Sequence, residues 1–67
     1  MIKYYKLFDL LNRRDMSKGD LMKAADISAP TVSKLVKGAP VNTEVLNKIC
    51  KALNVQPADI MEFISDK

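Results

Sequence analysis

Between Asp26 and Glu44 the chain carries no carboxylate, and within that interval it sets Ser28, Ala29, Pro30, Thr31, Ser33, Lys34 and Lys37. If the stretch is helical, Val32, Leu35 and Val36 fall at i, i+3 and i+4 as an inward apolar stripe. The small, polar and basic residues are then left on the outward face. Hydroxyls and ammonium groups with no acid among them suit noncovalent recognition of an anionic surface rich in hydrogen-bonding groups. Lys34, in mid-face, is long enough to reach a guanine O6 or N7 or to bend to a phosphate, whereas Ala29 and Pro30 offer only apolar contact, as to a thymine methyl. Further hydrogen bonds fall to Thr31 and Ser33. So small a donor inventory implies modest direct base reading, with DNA shape or a partner protein supplying the rest of the specificity.

Reactive constellations are missing from the composition. The chain has no His, the commonest general base, and a single Cys50 without a base partner, so nucleophilic catalysis has nothing to work with. Neither a catalytic site, a metal site nor a cofactor is expected, and a non-enzymatic role follows. Cys50 lies in an apolar helical stripe with Leu46, Ile49 and Leu53, which marks it as a small core residue, and a lone cysteine fits a reducing cytoplasm. No apolar run approaches the ~20 residues of a membrane span, and no signal peptide is expected.

The elements that must position the polar face are written in capping signals. Ser17 and Asp20 form a capping box, with Met16 and Leu21 as its hydrophobic staple, so a helix is predicted to start at Lys18. It should stop near Ala25, since Asp26 tolerates the left-handed conformation and Ser28 caps a new helix two residues on. That second helix has Ile27 and Val32 as its staple, Pro30 in the first turn and Gly38 at its end. Two helices joined by a three- or four-residue turn, the second with a small basic face, are the parts of a DNA-binding helix-turn-helix. Lys18 then opens the first of the pair, where free N–H groups and the helix dipole already favour a phosphate.

The same residues resemble the phage repressor and Cro (XRE-type) helix-turn-helix family. Ser17, Leu21, Ile27, Ser28, Val32, Ser33, Leu35 and Gly38 stand at matching positions, and the later run LNKICKALNVQPADIMEF is similar to the ending of a subgroup of small bacterial regulators, the YozG-like proteins. Lys18 replaces the usual Gln, Met22 the small Ala where the two helices cross, and Asp26 the turn Gly. The resemblance implies an all-α, five-helix, phage-repressor-like domain that binds double-stranded DNA. Its DNA-binding residues would be Ser17, Lys18, Ser28, Ala29, Pro30, Thr31, Ser33, Lys34 and Lys37.

The remaining chain supplies supporting helices. Tyr4, Leu7, Phe8 and Leu11 make an amphipathic stripe ending near Arg14, with Arg13 and Arg14 placed to favour its C-terminus. Met1 to Lys3 have no capping signal. Asn42 caps a fourth helix whose inward stripe is Leu46, Ile49, Cys50 and Leu53, and Asn54 fits its left-handed end. A fifth helix is predicted from Pro57, carrying Ile60, Met61, Phe63 and Ile64 before a polar tail, Ser65 to Lys67. That apolar surplus either closes the core with Tyr4, Tyr5 and Phe8 or faces a second subunit.

A chain of 67 residues, 48% hydrophobic and 28% charged, is expected to fold as one globular domain over residues 1–67. Its net charge of +3 is uneven: residues 1–51 hold ten basic and five acidic side chains, whereas 52–67 hold one and three. The basic part is the helix-turn-helix part, as a nucleic-acid footprint requires. The expected role is that of a bacterial, cytoplasmic transcriptional regulator, a repressor in preference to an activator. It should act as a homodimer through Met61, Phe63, Ile64 and the N-terminal arm. The alternative is a protein-interaction or antitoxin-like module that keeps the fold.

Overall fold

A computed structural model of the protein describes residues 1–65, so the last part of the expected polar tail, Asp66 and Lys67, lies outside the described residues. In chain order it contains strand β1 (Ile2–Lys3), helices α1 (Tyr5–Arg13), α2 (Lys18–Ala25), α3 (Ala29–Lys37) and α4 (Thr43–Leu53), a 3-10 turn (Pro57–Asp59) and strand β2 (Glu62–Phe63).

The helix boundaries follow the caps. Ser17 Oγ accepts the Asp20 N–H at 3.0 Å while Asp20 Oδ2 accepts the Ser17 N–H at 2.9 Å, a complete capping box. Ser28 and Asn42 cap α3 and α4 through the backbone N–H groups of Thr31 and Val45. Asp26, Gly38 and Asn54 end α2, α3 and α4 in the left-handed region. Asp15 adopts it too, in the turn after α1.

Helix α2 is central, packing on both α3 and α4. Its Leu21 and Ala25 join Tyr4, Leu7, Leu11, Leu35, Ile49, Leu53 and Ile60 in one buried cluster, with Val32 buried beside it. Between α1 and α4, the Arg14 guanidinium donates to the Leu53 carbonyl at 2.8 Å. Arg14 therefore serves the C-terminal end of α4 and not that of its own helix, while Arg13 pairs with Asp9 on the surface at 3.1 Å. Burial narrows the predicted stripe of α4: Ile49 and Leu53 are buried, and Leu46 and Cys50 are only half-buried.

The predicted fifth helix is corrected. Gln56 and Asp59 do form a capping box, yet only one 3-10 turn follows before the chain extends. Glu62–Phe63 then pairs antiparallel with Ile2–Lys3, with Ile2 opposite Phe63 and Lys3 opposite Glu62. The Ile64 N–H donates to the Met1 carbonyl at 2.8 Å, and the Met1 ammonium donates to the Ile64 carbonyl at 2.9 Å. Ile60 is fully buried directly after the turn, so the chain is drawn across the core and its β-branched and aromatic residues meet a strand that satisfies their backbone. The architecture is thus four α-helices and a short terminal ribbon. Of the residues expected to close the core, Tyr4 is buried, Phe8 and Met61 are half-buried, and Tyr5 and Phe63 are exposed.

Candidate nucleic-acid interface

The α2–α3 pair presents its outward face through residues that the caps hold in place. Ala29, Pro30, Ser33, Lys34 and Lys37 are all exposed on α3, as are Ser28 at its start and Ser17 and Lys18 at the start of α2. These eight residues of the predicted set and the ninth, Thr31, are therefore gathered on two adjoining helices. Thr31 is the exception in exposure, being half-buried. Its Oγ1 lies 3.0 Å from Ser28 Oγ, which also accepts the Thr31 N–H at 3.4 Å. The Ser28 and Thr31 hydroxyls are thus engaged with each other, and Ser33 and Lys34 carry the freer polar groups of the face.

Lys18 stands at the first position of α2, its Nζ 5.7 Å from the centre of the Phe8 ring. A ring face there orients the ammonium beside the helix N-terminus, where it adds to the local positive potential. From Lys18 a shallow groove runs between the helices, lined by Met22, Ala29, Val32, Ser33, Val36 and Lys37. Val36, which the apolar stripe placed inward, is 48% exposed. It faces this groove because a nine-residue helix lying on α2 buries a narrower arc than three apolar positions span, and Val32 and Leu35 already fill it.

Lys3 was not readable as part of this surface, being 35 positions before Gly38 in a segment without helical signals. In the fold, a Cβ added at Gly38 would stand 3.1 Å from Lys3 Cδ, 3.2 Å from its Nζ and 3.3 Å from the Ile2 carbonyl. The strand thus closes on the end of α3 through the space a hydrogen leaves, and Gly38 has φ +75°. Asp20, by contrast, is tied to its own cap: the Ser17 backbone and hydroxyl hydrogen bonds hold its carboxyl below the usual carboxylate range.

The Cro/C1-type HTH DNA-binding domain matches residues 6–66 of this sequence. The chain belongs to the Cro/C1-type helix-turn-helix family. This Cro/C1-type domain is similar to the HTH-type transcriptional regulator YozG of Bacillus subtilis (strain 168), with 37% identity over 60 residues that cover 87% of this chain and 71% of YozG. It is also similar to the crystal structure of the transcriptional regulator VanUg, at a TM-score of 0.91 and 42% identity, covering 97% of this chain and 87% of that one. The Cro/C1-type helix pair is α2 and α3, and both of these relatives are named as transcriptional regulators. No helix among the described residues is long and apolar enough to cross a membrane.

Proposed function

We propose that the protein is a sequence-specific transcriptional repressor that places α3 in the major groove of duplex DNA and acts in the bacterial cytoplasm, on the nucleoid. Residues 1–67 act in this reading as one domain. The observation that carries it is the exposed, carboxylate-free face of α3 set beside the N-terminus of α2. Lys34 and Ser33 read base edges, Ala29 and Pro30 make apolar contact, and Ser28 and Thr31 shape the entry of the helix. Ser17, Lys18 and Lys37 hold phosphates, which fix register without reading sequence. With so few base-directed donors, one copy has modest discrimination, so the operator is two half-sites bound by a homodimer. The dimer surface comprises the ribbon side chains Phe63 and Ile2 with the neighbouring Met61 and Ile64; Phe63 is 71% exposed.

Selection of bound sequences from a random duplex pool tests this directly. An enriched, inverted-repeat site bound with a steep salt dependence is the expected result, because displaced counterions make phosphate contacts salt-sensitive. The second reading, a protein-interaction or antitoxin-like module, rests on the apolar opening of α3 at Ala29 and Pro30 and on the groove floored by Met22 and Val36. No enriched sequence, and no salt-dependent binding to any duplex, would favour it.

A further inference from the structure

The chain has a basic side chain at the far end of α3 that belongs to neither helix of the pair. Lys3, half-buried, runs along Gly38, and its ammonium is 3.2 Å from where a Cβ at that residue would be. It lies 6.0 Å from the Tyr5 ring centre. Among the described residues Lys3 forms no ion pair, although Glu62 stands opposite it in the ribbon. Lys34 and Lys37 occupy the last turn of the same helix. Strand β1 therefore adds a third basic side chain next to the C-terminal cap of a helix whose last turn already carries two. A nine-residue helix is about 13 to 14 Å long, and the DNA major groove is about 12 Å wide. A helix set in the groove fills its width and is flanked by the phosphates of both strands, which a long basic side chain beside the helix end can reach.

We propose that Lys3 is a DNA-backbone contact, holding a phosphate at the groove edge next to the C-terminal end of α3. This rests on the major-groove reading above and extends it to a residue outside the helix-turn-helix. The ribbon is the device that makes the contact possible. Adjacent residues of a strand point to opposite sides, so Lys3 and Glu62 project from one side of the ribbon and Ile2 and Phe63 from the other. A second copy seated on Ile2 and Phe63 leaves Lys3 free. Lys3 reads no base; it adds affinity to every sequence alike.

The test is fluorescence anisotropy of the full chain on two labelled duplexes, a selected site and a mixed-sequence control, across a salt series. Lys3→Gln should weaken both duplexes by the same factor and lower the slope of log affinity against log salt by about one unit. Lys3→Arg should restore the slope, and Glu62→Gln, which removes a facing negative charge, should tighten binding to both duplexes. A Lys3→Gln protein with native circular dichroism and an unchanged slope overturns the proposal, as does a loss confined to the selected site. Should Lys3→Gln not fold, Glu62→Gln decides: unaltered affinity for both duplexes overturns the proposal. Failure of the wild-type chain to bind either duplex would instead overturn the major-groove reading, and this contact with it.

Discussion

Lys34 and Lys18 carry the same charge in different settings, and the settings predict different mutant behaviour. Lys34 is in the middle of the exposed face of α3, so Lys34→Ala should cost about 1 to 3 kcal/mol on the selected site and relax preference at one base position. Lys18 is at the start of α2 beside the Phe8 ring, so Lys18→Ala should weaken all sequences evenly and reduce the salt slope by about one unit. Binding isotherms on single-base variants of the site, with salt series, distinguish the two. At Cys50, burial first and the Asp59 charge second push the thiol pKa up from its ordinary value. The neutral thiol is then the dominant form at pH 7 to 8, and thiolate is the nucleophile. Alkylation by iodoacetamide should be slower than for a free cysteine peptide and should accelerate only as the solution becomes more alkaline than that peptide requires. Equal rates at neutral pH would mean that the thiol is effectively unburied.

The cap between α3 and α4 is sensitive to a single added methyl. Gly38 is left-handed at φ +75° and has Lys3 and the Ile2 carbonyl within 3.1 to 3.3 Å of the place a Cβ would take. Gly38→Ala therefore combines a backbone cost with displacement of strand β1, and a loss of about 1 to 3 kcal/mol is expected in urea denaturation. An unchanged midpoint would show that the ribbon yields freely. Asn54, also left-handed at φ 57°, closes α4 with a residue type that tolerates this conformation. Its replacement by glycine should be neutral or slightly stabilising in the same measurement.

At the scale of the molecule, one buried cluster joins all four helices and the segment after them. Leu53 is 3% exposed within it, and Leu53→Ala should cost about 2 to 5 kcal/mol, comparable with the whole reserve of so small a domain. Leu46→Ala should cost less, because Leu46 is only half-buried against the same cluster. Melting curves that ranked the two the other way would contradict the packing. For assembly, Phe63→Ser removes the most exposed large apolar side chain without touching the core. Sedimentation at rising concentration, with and without the selected site, should show the wild type passing from monomer to dimer and the variant remaining a monomer free of DNA. One wild-type chain per operator at saturation, with full discrimination, would leave the ribbon face unassigned to a second copy.

Signals spanning three or four residues were legible in the sequence and predicted the four helices to within a residue of their observed limits. Ser17 with Asp20, Ser28 with Thr31 and Asn42 with Val45 each satisfy backbone groups inside one turn, so no distant residue is needed to decide them. The polar face of α3 was legible for the same reason, since helical periodicity alone carries Ala29, Ser33, Lys34 and Lys37 outward. Val36 was not, because how wide an arc α3 buries depends on its packing against α2. The end of the chain was decided elsewhere as well. Pro57 and Asp59 announce a helix locally, but Ile64 and Met1, 63 positions apart, exchange backbone hydrogen bonds, and that pairing competes with continuation of the helix. The same closure brings Lys3 to Gly38 and Arg14 to Leu53. Such contacts have no period and no spacing in the sequence, since they exist only once the core has brought distant segments of the backbone within hydrogen-bonding reach.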